Sequence, residues 1–165
     1  MKTKTFLIVF MLVATICVNA QTTRVSLSSS VETSKYFDGY FNIASVGIQF
    51  ERQYSDRFGL LFGAENTNRI HQYFIESRVN LPLMAKFYSK PVNIAMGPYV
   101  DIFAGMRSSM NIADFSTDMI YWGALLDISH QWDITKSFSV EPGIRLRYGM
   151  DDLFAGLNVS LKYHF

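Results

Sequence analysis

The strongest constraint on this chain is a period of two that runs to its last residue. From Ala155 to Phe165 every second position is apolar: Leu157, Val159, Leu161, Tyr163 and Phe165. The positions between them, Gly156, Asn158, Ser160, Lys162 and His164, are small or polar. Successive side chains of a strand point to opposite faces, so this run is a strand with one apolar and one polar side. A terminal strand in water normally trails into a few mobile polar residues. Here the alternation stays in phase up to Phe165.

The same period recurs along the chain and predicts eight strands. They are Thr23 to Glu32, Tyr40 to Tyr54, Phe58 to Asn66, Tyr73 to Tyr88, Val92 to Ile102, Ile120 to Ile134, Phe138 to Tyr148, and the terminal run. The fourth is the clearest. Its odd positions include Ile75, Val79, Leu81, Leu83 and Phe87, and its even positions include Glu76, Arg78, Asn80 and Lys86. Such a run is longer than the roughly 9–11 residues with which a tilted strand crosses a bilayer core. In the second strand Phe41 and Ile43 fall out of phase with Val46, Ile48 and Phe50, which predicts a bulge near Ala44.

Residues 1–20 read as a secretory signal peptide. Lys2 and Lys4 precede an apolar run from Phe6 to Val18, and Val18-Asn19-Ala20 supplies small residues for cleavage before Gln21. Cys17, the only cysteine, lies inside that segment, and Ile16 stands before it where lipidation wants a small residue. The remaining chain, residues 21–165, has no thiol chemistry. Once Lys2 and Lys4 are removed it is nearly neutral, which argues against nucleic acid as a partner. It holds no apolar stretch of helical length, so a membrane-crossing structure would have to be a closed barrel.

Two resemblances agree with a barrel. The ending Tyr163-His164-Phe165 resembles the closing strand of Gram-negative outer-membrane β-barrels, in which a final Phe is what the barrel-assembly machinery recognises. The run Asn80-Leu81-Pro82-Leu83-Met84-Ala85-Lys86-Phe87-Tyr88, followed by Met96-Gly97-Pro98-Tyr99-Val100, resembles the PorT-like outer-membrane β-barrel family. That family carries an I/L-P-L-L-x-K-Y strand and then an A-G-P-Y strand. The resemblance implies an all-β, eight-stranded antiparallel up-and-down transmembrane barrel. Its motifs mark a fold and contain no nucleophile, base or metal set.

Alternation does not say which face is inward, because a soluble eight-stranded barrel would bury the apolar one. Two features favour the inverse arrangement. Aromatic residues gather near strand ends (Tyr54, Phe58, Phe87, Trp132, Phe138, Tyr163, Phe165), as in the girdles of membrane barrels. The polar face also carries matched charges: Arg24, Arg78, Lys86, Arg145, Arg147 and Lys162 against Glu51, Glu65, Glu76, Asp101, Asp127 and Glu141. A narrow interior requires such matching. Short turns after strands two, four and six, with longer loops at Thr33–Gly39, Thr67–Gln72 and Met106–Met119, place the loops outside the cell and the turns in the periplasm.

Candidate chemistry is sparse. His130 sits near the predicted periplasmic interface, and Ser129 beside it points to the other face. His71 lies in a loop, and His164 faces the lumen at the rim without metal-ligand spacing to the others. Glu141 and Asp127 share their face with Arg145 and Arg147, so ion pairing is the simpler reading than an acid–base pair. Tyr99 and Asp101 read as lumen packing. No residue is assigned as catalytic, cofactor-binding or metal-binding. The expectation is a monomeric, non-enzymatic outer-membrane protein, surrounded by outer-membrane lipid, with a filled polar lumen and loops that meet envelope or extracellular partners. The alternatives are a lipid-modifying enzyme of the lipid A deacylase or acyltransferase kind, and, ranked last, a small pore.

Overall fold

The computed structural model describes residues 22–34, 42–70, 74–108, 119–149 and 152–165. The signal-peptide segment and His71 lie outside the described residues. Eight strands account for nearly all of the rest: β1 (Thr22–Ser34), β2 (Asn42–Gln53), β3 (Phe58–Ile70), β4 (Phe74–Ser89), β5 (Val92–Ser108), β6 (Ile120–Ser129), β7 (Phe138–Gly149) and β8 (Asp152–His164). Each strand pairs antiparallel with the next, and β8 pairs back onto β1. The sheet is therefore closed and leaves no edge strand, the condition for a β-structure to sit in hydrocarbon. Beyond His130 and Gln131 the chain resumes β6's register against β7, with Trp132 opposite Val140 as Ser129 is opposite Gly143. The His130 amide bridges the gap by donating to the Pro142 carbonyl at 3.0 Å. The expected run from Ile120 to Ile134 is thus one strand with a local interruption, ending at Asp133.

The faces are distributed inside out. Ser26, Ser28, Ser30, Gln49, Glu65, Thr67, Arg78, Asn80, Lys86, Arg145 and Lys162 are buried, while Leu27, Ile48, Phe62, Leu83, Ile144, Leu157 and Leu161 are exposed. A soluble barrel would show the reverse. Only an apolar medium around the molecule makes this arrangement stable. Aromatic rings form a belt at the turn end. Tyr54 meets Phe58 at 6.3 Å and Phe58 meets Phe87 edge-on at 5.6 Å. On the far side Phe138 meets Tyr163 at 5.1 Å, and Tyr163 meets Phe165 at 4.9 Å. Each such pair contributes about 0.5–1.5 kcal/mol beyond its buried area.

Several expectations are corrected. The ladder of β2 is unbroken from Asn42 to Gln53 on both sides, so there is no bulge near Ala44. Ile43 lies on the lumen face, fully buried, between Glu32 and Arg69 of the adjacent strands. An apolar side chain on the polar face looks, in sequence, like a slipped phase. The bulge falls in β5 instead: Arg78 pairs with Phe103 but Ser77 pairs with Gly105, leaving Ala104 extra. Strands are also longer at the loop end than expected. Thr67 to Ile70 belong to β3, Met106 to Ser108 to β5, and Thr33 and Ser34 to β1, so those residues are barrel wall rather than loop. Nor is the interior wholly polar, since Leu61, Met84, Ala95, Tyr99 and Leu125 form a buried apolar cluster within it.

Candidate functional site: the ion-paired lumen and its two mouths

Alternation delivers one lumen side chain from every second residue of eight strands, and register decides which of them meet. The charges collect in three tiers. At the turn end, Glu51 takes the Lys86 ammonium at 2.9 Å and the Tyr88 hydroxyl at 2.9 Å, and is also paired with Arg24 and Lys162. Glu141 beside it accepts from Lys86 at 2.7 Å, Ser129 at 2.6 Å and Asn93 at 3.0 Å, and pairs with Lys162. Midway, Arg145 uses its fork twice. Nη1 donates to Glu65 at 2.9 and 3.2 Å, while Nε and Nη2 donate to Asp127 at 2.9 Å each. At the loop end Arg147 grips Glu32 at 2.8 and 3.2 Å, Arg69 reaches Asp101 at 2.5 Å, and Arg78 reaches Glu76 at 2.5 Å. Tyr121 lies under Arg78, whose guanidinium carbon is 4.2 Å from the ring centre, and Tyr99 lies under Arg147 at 5.1 Å.

All twelve charges expected on the polar face are in the lumen, and all take part in ion pairs. Glu32, Arg69 and Asp152 are buried there too, the first two in ion pairs. Each was in phase with a lumen row: Glu32 with Ser28 and Ser30, Arg69 with Glu65 and Thr67, Asp152 with Asn158 and Ser160. Glu32 lay inside the predicted first strand, and carrying the alternation through the presumed connections would have found Arg69 and Asp152. Asp152 takes the Ser34 hydroxyl at 2.5 Å, tying β8 to β1 at the loop end. The void enclosed by Gln49, Leu61, Lys86, Asp127, Asn158 and neighbouring side chains is about 10 Å³, the room of roughly one water. At the turn end a vestibule of about 410 Å³ is lined by Arg24, Tyr88, Asn93, His130 and Asp133 among others, and Arg24 and Tyr88 are partners of Glu51.

The candidate chemical residues sort themselves by contact. His130 lies at the turn end, its Nδ1 against the Pro91 carbonyl and its ring edge-on to Trp132 at 5.7 Å. Ser129 points away into the lumen and donates to Glu141. Asp127 and Glu141 are each held by cations, as the ion-pair reading expects. One arrangement escaped sequence reasoning. Ser139 Oγ lies 2.7 Å from His164 Nε2, a serine–histidine pair at hydrogen-bond distance. Its third partner has the wrong sign for nucleophilic activation. Arg24 Nε donates to His164 Nδ1 at 3.2 Å. Nδ1 is therefore the acceptor, and the neutral ring carries its proton on Nε2, which donates to Ser139 instead of accepting from it. A serine activated by histidine needs the opposite tautomer, fixed by a carboxylate.

No family model matches this chain, and no curated protein sequence matches it either. Solved structures do. The chain is similar to the Neisserial surface protein NspA, at 16% identity over 87% of this chain and 97% of that one, with a TM-score of 0.58. It is similar to the outer membrane protein OprG from Pseudomonas aeruginosa, at 8% identity, with 89% and 98% covered and a TM-score of 0.61. Ail, the attachment invasion locus protein of Yersinia pestis, aligns at 10% identity, with 87% and 97% covered and a TM-score of 0.57.

The fold is that of the small outer-membrane barrels. An eight-stranded barrel of this type has an interior just wide enough for side chains to fill. The ion-paired tiers fill this one, so the wild-type protein is expected to be electrically silent in planar bilayers. Leak should appear only when partners are removed together, as in Glu76→Ala, Arg78→Ala, Arg145→Ala. Discrete conductance steps from the wild type would rule out a sealed lumen.

Proposed function

We propose that this chain is a non-enzymatic integral outer-membrane protein of a Gram-negative envelope, whose rigid closed barrel presents its loop face to envelope or extracellular partners. The inside-out barrel with a charge-filled lumen carries the reading. A wall that is apolar outside needs lipid. A lumen packed with paired charges offers no path for a solute and leaves the loop mouth as the place for contact. The loops expected at Thr33–Gly39, Thr67–Gln72 and Met106–Met119 leave the wall at this mouth, and β1, β3 and β5 run up to Ser34, Ile70 and Ser108 toward it. The PorT-like resemblance of the Leu81-Pro82-Leu83 and Gly97-Pro98-Tyr99 strands supports the same setting and names no partner. The lipid-modifying alternative loses its best candidate, since the Ser139–His164 pair sits at the turn end with the unproductive tautomer.

Cell fractionation with protease shaving tests the proposal. The protein should fractionate with the outer membrane, intact cells should lose only loop segments to added protease, and purified barrel should show no esterase or deacylase turnover on lipid A. Recovery in the soluble periplasm would remove the proposal.

Assembly gives a separate expectation. Phe165 donates its amide to the Thr23 carbonyl at 3.2 Å and stacks its ring edge against Tyr163, so the terminal residue is part of the β1–β8 seam as well as the signal it resembles. Deleting Phe165 should lower the outer-membrane level several-fold and leave precursor or fragments in the periplasm. A fractionation blot with unchanged outer-membrane levels would remove the support for recognition by the assembly machinery.

A further inference from the structure

The wall of the barrel has one concave place. Along the β6–β7 seam the described ladder ends toward the loops at the rung Gly123–Gly149, while Ile120, Tyr121 and Trp122 continue and, among the described residues, pair with β5. On the lumen side Tyr99 lies flat against that rung. A Cβ at Gly149 would meet its hydroxyl at 2.2 Å, and one at Gly123 would meet it at 2.7 Å. On the outer side Pro98, Ala124 and Tyr148 stand in one row across β5, β6 and β7, and the small Ala124 is its middle member. Trp122 rises on one side of that row, and Met96, Leu126 and Leu146 on the other. The result is a bay of about 1110 Å³ in the outer surface, and none of the described residues lining it is charged.

We propose that this bay is a discrete binding site for one hydrocarbon chain of a membrane lipid, a site that rests on the membrane-barrel reading above. Its volume of about 1110 Å³ is slightly above the roughly 300–1000 Å³ typical of small-molecule sites. It opens among the outward apolar side chains, where hydrocarbon is the surrounding medium, and an empty apolar bay there would forfeit contacts on every lining atom. A second copy of the barrel is a poor occupant, because two convex walls touch along a line and leave a concavity unfilled. A flexible chain follows it. The bay is not a doorway into the lumen, since behind the glycine rung stands Tyr99 with the Arg147 guanidinium over its ring. Trp122, at 80% exposure, forms the rim against which the chain lies.

The test is native mass spectrometry of protein refolded into dimyristoylphosphatidylcholine vesicles and released in mild detergent. Wild type should retain one lipid per barrel. Ala124→Phe and Leu126→Trp, which fill the bay from its floor and its wall, should each lower the retained fraction at least tenfold. Ile48→Phe, on the outer face of β2 across the barrel, should leave it unchanged. Heat-modifiable gel mobility reports separately that each variant is a folded barrel. A folded wild type with no lipid adduct, equal retention in the filled variants, or barrel dimers in place of lipid adducts would overturn the site. A protein that stays soluble without detergent would instead overturn the membrane reading beneath it.

Discussion

Arg145→Ala is expected to cost about 3–5 kcal/mol of barrel stability, the range for removing one partner from a buried ion cluster. The magnitude follows from what is left behind. Arg145 is buried and alone supplies four hydrogen bonds to Glu65 and Asp127. Without it two carboxylates face each other across a narrow lumen. Gln49 donates to Glu65 at 2.7 Å but carries no charge, and Arg147, 4.0 Å from Glu65, is already held by Glu32. Urea unfolding in lipid vesicles, followed by tryptophan fluorescence, measures the loss. A matched variant separates the pairing from the packing. Arg145→Met with Glu65→Gln and Asp127→Asn removes all three charges at similar volume and should regain most of the loss. If Arg145→Ala costs less than about 1 kcal/mol, water reaches that tier and the sealed-lumen reading fails.

Leu83→Arg, on the opposite face, is expected to cost about 2–4 kcal/mol, the penalty for a cation near the middle of the lipid-facing wall. Leu83 is 54% exposed in the protein alone, near the middle of β4 and paired with Phe62 of β3. The substitution breaks no contact inside the barrel, so its cost measures the surrounding medium. In a water-soluble barrel the same change on an exposed side chain would be close to neutral. The comparison is made by refolding into vesicles with graded urea. Equal stability of wild type and Leu83→Arg would mean that this face does not meet hydrocarbon.

Period two made the wall legible from sequence, because a strand's faces are written residue by residue. Leu157, Val159 and Leu161 are outward as the alternation requires, and Arg145, Arg147 and Lys162 are inward. What it cannot carry is height along the barrel, which register sets. Nothing in the spacing says that Arg145 of β7 meets Glu65 of β3 across the lumen, or that Lys86 and Lys162 share two carboxylates. Ile43 was misread for a related reason. A polar face tolerates a single apolar member, and one such residue is indistinguishable from a bulge until its neighbours Glu32 and Arg69 are known. The Ser139–His164 contact is diagonal between β7 and β8, and its character depends on Arg24 from β1. Three strands had to be brought together before that pair could be judged.

The way the ring closes has a consequence for how the chain is made. The seam between β1 and β8 joins Arg24 to His164, residues 140 apart in sequence, and extends up the wall to Ser34 and Phe154. Every other seam joins neighbours in the chain and can form as a local hairpin. Closure is therefore the slow, entropy-limited step, and it waits for the final strand to exist. Until then the growing sheet has two bare edges, each a template for a second chain. A polypeptide of this design is therefore expected to be most prone to pairing with other copies before its two end strands meet.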